Sequence, residues 1–90
     1  MAVEVRIPTI LRTFTGGAKA VQGDGDTLSA VIDDIESRNP GLKERLVEAD
    51  ELRRFVNIYV NDEDVRFTGG LSAPTADGDV VVVLPAVAGG

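Results

Sequence analysis

Ninety residues with 43% apolar and 27% charged side chains make one small domain with a single core, since at this length folding buries about 60–68% of the surface that the unfolded chain exposes. Neither cysteine nor histidine occurs, which excludes a disulfide framework, a thiolate metal site, a cysteine nucleophile and any Ser–His or Cys–His arrangement. A net charge of −6 argues against nucleic acid, whose binding rests on Lys and Arg neutralising phosphates, and suits docking to a basic protein.

Val3, Val5 and Ile7 alternate with Glu4 and Arg6, the period of a strand with one buried face that ends near Pro8. Gly16-Gly17 supplies a hairpin turn, and Ala18 to Val21 reads as the returning strand. After the loop Gly23-Asp24-Gly25, Asp26 or Thr27 can cap a helix on which Leu28, Val31, Ile32 and Ile35 form the apolar stripe. Asn39-Pro40-Gly41 stops it, because proline lacks the amide that would continue the ladder and disfavours helix at the residue before it. Leu42 to Val47 is expected to form a short second helix and Glu48 to Arg54 a surface connection.

Phe55 to Val60 is rich in β-branched and aromatic residues and reads as a strand, followed by a polar turn at Asn61-Asp62-Glu63-Asp64. Val65-Arg66-Phe67 is assigned to a short strand closed by Gly69-Gly70. The loop Pro74 to Gly78 then leads to a last strand, Val80 to Leu84. Hairpin, helix, strand, short strand, strand is an α+β order: a mixed sheet packed on one main helix, in the sequence of a β-grasp fold. Residues 1–84 are expected to form that domain.

The start Met1-Ala2-Val3-Glu4 lacks the basic and apolar regions of a signal peptide. Val80 to Val87 falls well short of the about 20 residues that cross a bilayer. A cytoplasmic chain with no membrane association is therefore expected.

Pro85-Ala86-Val87-Ala88-Gly89-Gly90 carries no charge except the terminal carboxylate, and fully extended it projects up to about 20 Å. This flexible tail, residues 85–90, is the candidate site. Without Cβ atoms at Gly89 and Gly90, the terminal carbonyl is open to attack from either side and fits a narrow tunnel in a partner. Gly-Gly at an end also fits ordinary fraying. The choice rests on the combination of element order, a strand that feeds straight into the tail, and the lack of another group for chemistry. The chain is expected to be no enzyme.

Other features have plainer readings. Asp24, Asp26, Asp62, Glu63 and Asp64 lack the register of a calcium loop and fit turns and caps. Gly69-Gly70 lacks the lysine and hydroxyl partners of a phosphate loop. Lys43, Arg45, Arg53 and Arg54 fit solvated faces. Val80 to Leu84 is apolar on both faces, although only one substantial helix is available to cover it. Val82 and Leu84, with Phe67, are therefore candidates for an exposed partner-docking surface.

Ile7-Pro8-Thr9-Ile10-Leu11-Arg12, Gly25-Asp26-Thr27-Leu28, the run from Arg54 to Phe67, Asp77-Gly78-Asp79-Val80 and the ending Leu84 to Gly90 together resemble the MoaD/ThiS family of ubiquitin-like sulfur carriers. The likeness is greatest to the branch that serves cysteine biosynthesis. The resemblance implies that an E1-like adenylating sulfurtransferase transfers AMP from ATP to the Gly90 carboxylate and that sulfur then replaces the adenylate. Gly89, Ala88 and Val87 would thread the tail into the partner. The resulting thiocarboxylate would serve a pyridoxal phosphate-dependent cysteine synthase, and a zinc-dependent (JAMM-type) peptidase would free the product. ATP, pyridoxal phosphate and zinc belong to those partners, and this chain itself is expected to bind no cofactor or metal. Two alternatives share the fold: a molybdopterin synthase small subunit, and a protein modifier or interaction module.

Overall fold

The computed structural model of the chain describes residues 2–54 and 56–85. Strand β1, Val3–Arg6, buries Val3 and Val5 and turns Glu4 and Arg6 outward, as the alternation requires. It pairs antiparallel with β2, Ala20–Gly23, in the register Val3↔Gly23 to Arg6↔Ala20. The expected tight turn is absent, and β2 starts two residues later than expected. A 3-10 segment, Thr9–Thr15, fills the connection. Its Leu11 and Phe14 pack against the core, and the Thr15 hydroxyl lies 2.9 Å from the Ala18 carbonyl oxygen. That burial outweighs the shorter turn which Gly16-Gly17 alone would permit.

Helix α1, Leu28–Arg38, starts on Thr27, whose hydroxyl accepts the Ala30 amide at 3.2 Å. Leu28, Val31, Ile32 and Ile35 are buried, as their spacing predicts. The helix closes at Asn39, whose amide donates to Ile35 O. The short helix α2, Leu42–Leu46, follows. The Glu36 carboxylate accepts the amides of Gly41 and Lys43 and so ties α2 to α1.

Beyond α2 the expected surface connection is a small hairpin, β3 (Val47–Glu48) with β4 (Glu51–Leu52). Its two-residue turn places Ala49 at φ 54° and Asp50 at φ 63°. Strand β5, Val56–Val60, then turns through Asn61 (φ 50°) and Asp62 (φ 71°) into β6, Glu63–Asp64. Two left-handed residues suit the twist of a hairpin, but alanine lacks the side chain that lets Asn or Asp adopt this conformation readily. Ala49→Asn would copy the Asn-Asp turn that follows β5. It should raise stability by about 0.5–1 kcal/mol, read as a higher urea midpoint at an unchanged slope; a lower midpoint would refute it.

The expected strand Val65-Arg66-Phe67 is instead a 3-10 turn, because the Asp64 carboxylate accepts the Arg66 amide at 2.9 Å and bends the chain away from β5. A second such turn, Gly70–Ser72, leads to the last strand, β7, Val80–Pro85. The sheet runs β2-β1-β7-β5-β6, with β1 and β7 parallel and the other pairs antiparallel. Val81, Val83, Ile58, Val3 and Val5 form one buried layer with the stripe of α1. This is the expected α+β architecture, a mixed sheet on one main helix.

Asp34 links α1 to the chain before it, accepting the Asp24 amide and the Arg38 guanidinium, both at 2.9 Å. The Arg38 hydrogen bond, aided by the Asp24 amide, holds the Asp34 carboxyl below its usual value. A depressed carboxyl stabilises the fold above the unfolded-state value of about 3.9, and that stabilisation is lost as pH falls through the lower folded-state value. Asp34→Asn should flatten the acid limb of a plot of urea midpoint against pH, while an identical limb would exclude Asp34 as its source.

Candidate functional site: the end of β7 and the open sheet face

Parallel pairing makes β1 and β7 finish at the same end of the molecule. The β1 register stops at Arg6↔Val82, where Pro8 and the 3-10 segment carry the chain away. Pairing with β5 continues through Asn57↔Leu84 to Val56↔Pro85. Beyond Val82 the strand therefore has β5 as its one remaining ladder partner. A proline without an amide is tolerated at such a position. The strand runs one residue past the expected boundary, and Pro85, the last described residue, stands at this end of the central strand. Gly90, Gly89, Ala88 and Val87 lie outside the described residues, as does Phe55.

Strand parity places Val82 and Leu84 on the face away from α1. Val82 is half-buried and stands opposite Tyr59 on β5 and Arg6 on β1. Leu84 is 46% exposed and faces Asn57 across the ladder. Phe67 is 86% exposed but belongs to the 3-10 turn after β6. Its neighbour Arg66 links the two elements: the guanidinium donates to Asn57 Oδ1 at 2.9 Å, to Val56 O at 2.6 Å and to Arg53 O at 3.1 Å. Val82 and Leu84 are thus brought together on the open face, while Phe67 is exposed on a separate support, the turn that Arg66 ties to β5. Reading the sequence one strand at a time overlooked Tyr59 and Asn57, although their alternation with Ile58 carries the signal. The role of Arg66 depends on a turn that the sequence reading made a strand.

The remaining acidic residues behave as turn and cap groups where their contacts are seen: Asp64 caps Arg66, and Asp62 sits in the left-handed turn. Among the described residues, no three carboxylates group so as to hold a metal ion, and no helix is long and apolar enough to cross a membrane.

A model of the ThiS family matches residues 5–90. Sulfur carrier protein CysO of Mycobacterium tuberculosis strain H37Rv is 61% identical, with all of both chains covered. Small archaeal modifier protein 3 of Haloferax volcanii is 37% identical, also over all of both chains. Among solved structures, a chain of the Amycolatopsis orientalis BexX/CysO complex superposes with a TM-score of 0.95 at 62% identity, covering 99% of this chain and 100% of that one. Mycobacterium tuberculosis CysO superposes with a TM-score of 0.90 at 60% identity, covering 94% and 99%. The element order, the β7 exit and an end-to-end likeness at this level agree: the chain belongs to the ThiS family, with the ubiquitin-like β-grasp fold.

Proposed function

We propose that this chain is a sulfur carrier whose working group is the main-chain carboxylate of Gly90. The observation that carries the reading is the end of β7: the central strand parts from β1 after Val82, its last pairing is Val56↔Pro85, and the sequence that follows is uncharged up to its terminal carboxylate. The 61% identity to a sulfur carrier protein, CysO, supports it.

In this reading the Gly90 carboxylate attacks the α-phosphorus of ATP in an E1-like adenylating sulfurtransferase, releasing pyrophosphate and forming an acyl-adenylate. A sulfide-level donor then forms the C–S bond as AMP leaves, yielding a thiocarboxylate. The thiocarboxylate is anionic and soft, a better nucleophile toward carbon than the carboxylate it replaces. Its use in cysteine biosynthesis, by a pyridoxal phosphate-dependent cysteine synthase and a zinc-dependent peptidase, is part of the same proposal, as is a chain that itself catalyses nothing. Intact-protein mass spectrometry after incubation with ATP, a sulfur source and the adenylating enzyme tests it. Exchange of one oxygen for sulfur, localised to Gly90, is expected; a chain that stays unmodified with every such enzyme would sink the reading. A lysine conjugate would instead favour a protein modifier, a second reading that the likeness to small archaeal modifier protein 3 supports.

The open face would dock the partner. A CysO chain similar to this one is found in complex with BexX, which supports binding through a protein interface. Val82→Asp or Phe67→Asp places a charge on a surface that a partner must desolvate and should weaken binding about tenfold, with the thermal midpoint little changed. Unaltered affinity in both variants would exclude this face.

A further inference from the structure

Nine residues of the chain are Lys or Arg, and the structure divides them by position. Four meet carboxylates: Arg6 with Glu4, Arg38 with Asp34, Lys43 with Asp33 and Arg53 with Glu48. The other five, Arg12, Lys19, Arg45, Arg54 and Arg66, form no ion pair among the described residues. All five lie on segments that reach the end of the sheet at which β7 finishes. Arg12 donates to Ile7 O, and the Lys19 carbonyl accepts the Ile7 amide beside the last residue of β1. Arg45 stacks 5.4 Å from the centre of the Phe14 ring in the 3-10 segment above β1. Arg54 lies two residues before Val56, the residue opposite Pro85. Arg66 holds Val56 O.

Part of the acidic charge lies at the opposite end. Asp62 and Glu63 lie at the β5–β6 turn and Asp77 and Asp79 at the entry to β7, while the Asp77 carboxylate accepts the Ala2 amide below the start of β1. Glu51, which lines a hollow with Arg66, Glu48, paired with Arg53 next to Arg54, and Glu44, next to Arg45, are carboxylates near the cationic end. A chain of net charge −6 thus presents cations around the departure of its tail.

We propose that these cations form a collar that docks on an acidic rim at the mouth where the activating enzyme admits the tail; this rests on the proposed function above. The charge separation turns the tail end toward a negative mouth during encounter, and at contact the local charges outweigh the distant acidic end, because screening removes interactions beyond about 8–10 Å at ordinary ionic strength. A basic partner, which the net charge alone favours, would be met by the wrong sign at the place where the tail must enter.

Lys19→Gln/Arg54→Gln tests the collar without disturbing the fold, since both side chains are exposed and neither forms a hydrogen bond among the described residues. The first probe is soluble poly-L-glutamate at low ionic strength, followed by amide NMR of the full chain. Shifts at Arg12, Lys19, Arg54 and Arg66 that vanish in the double variant are expected; no shifts, or shifts centred elsewhere, would overturn the collar. The second arm measures equilibrium binding and ATP–pyrophosphate exchange with the E1-like adenylating enzyme. The double variant should raise Kd and KM about 5–10-fold at low salt with kcat unchanged and a flatter salt dependence. Asp62→Asn/Glu63→Gln, at the other end, should change them less than about twofold by the same reasoning. Equal KM and salt dependence in wild type and the collar variant would overturn the proposal while leaving the tail's chemistry standing. Salt-dependent binding that the collar variant loses, without any pyrophosphate exchange in the wild type, would refute the tail's chemistry and leave the collar.

Discussion

Deleting Gly90 should abolish adenylation and sulfur loading while leaving the thermal midpoint where it was. The deletion does not remove a carboxylate; it transfers the carboxylate to Gly89 and withdraws it by one residue, about 3.3–3.6 Å. Nucleophile and ATP must meet within bonding geometry, and a displacement of about 1 Å already costs on the order of 100-fold in rate. A loss of at least that size in pyrophosphate exchange is therefore expected. Binding should fall far less, since the open face and the body of the domain remain intact. The stability comparison is decisive for interpretation: the last pairing seen in the structure is Val56↔Pro85, five residues before the deletion. Exchange that continues at the wild-type rate would place the reactive group elsewhere. Lost exchange accompanied by a collapsed thermal midpoint would mean that the end supports the fold instead.

The same dependence on local against long-range information explains which elements could be read from the sequence. Helix α1 was legible, with only the choice of Asp26 or Thr27 as cap left open, because its cap, stripe and stop are local: Thr27, the four buried apolar residues and Asn39-Pro40 lie within one segment. The strand core of β5 and β7 was legible from its β-branched composition. The β3–β4 hairpin was not, since its turn uses Ala49 and Asp50, neither of them glycine, at positive φ, and charged residues obscure any alternation. Val65 to Phe67 has strand composition, but one carboxylate on Asp64 decides its path.

For the candidate site the division is sharper. Val82 and Leu84 could be placed on one face by parity alone, and the shortage of helices indicated that this face stays open. The partners Tyr59 and Asn57 require the β5–β7 register, which is a long-range fact. The gathering of five cations at one end requires the whole topology, because Arg12, Lys19, Arg45, Arg54 and Arg66 are spread over more than half of the chain. Net charge, a sum, contains nothing of that arrangement and by itself favours a basic partner.

The largest loss of stability from adding one methyl group is expected at Gly25. A Cβ built there would lie 2.6 Å from Ala30 Cβ, 2.7 Å from Val31 N and 2.8 Å from Ala30 C. Two of those atoms are backbone in the first turn of α1, so no side-chain rotation relieves the overlap. The loop cannot retreat either: the Thr75 hydroxyl donates to Gly25 O at 2.8 Å and the Thr75 amide to Asp26 O at 3.0 Å. Helix α1 must then shift at its capped end, where Leu28 is fully buried. Gly25→Ala should cost about 3 kcal/mol, the upper part of the usual overpacking range, out of a total on the order of 5–13 kcal/mol for a domain of this size. Gly23→Ala makes a useful contrast. Its added methyl would meet Val31 Cγ1 at 2.8 Å and Ile35 Cγ2 at 2.9 Å, side-chain atoms of stiff, buried residues whose displacement still costs less than moving helix backbone, about 2 kcal/mol. Urea denaturation should rank Gly25→Ala below Gly23→Ala, and the reverse order would show that the loop, and not the helix, gives way. Both changes lie at the end opposite the tail, so at a temperature where each variant is folded, adenylation of Gly90 should proceed at the wild-type rate.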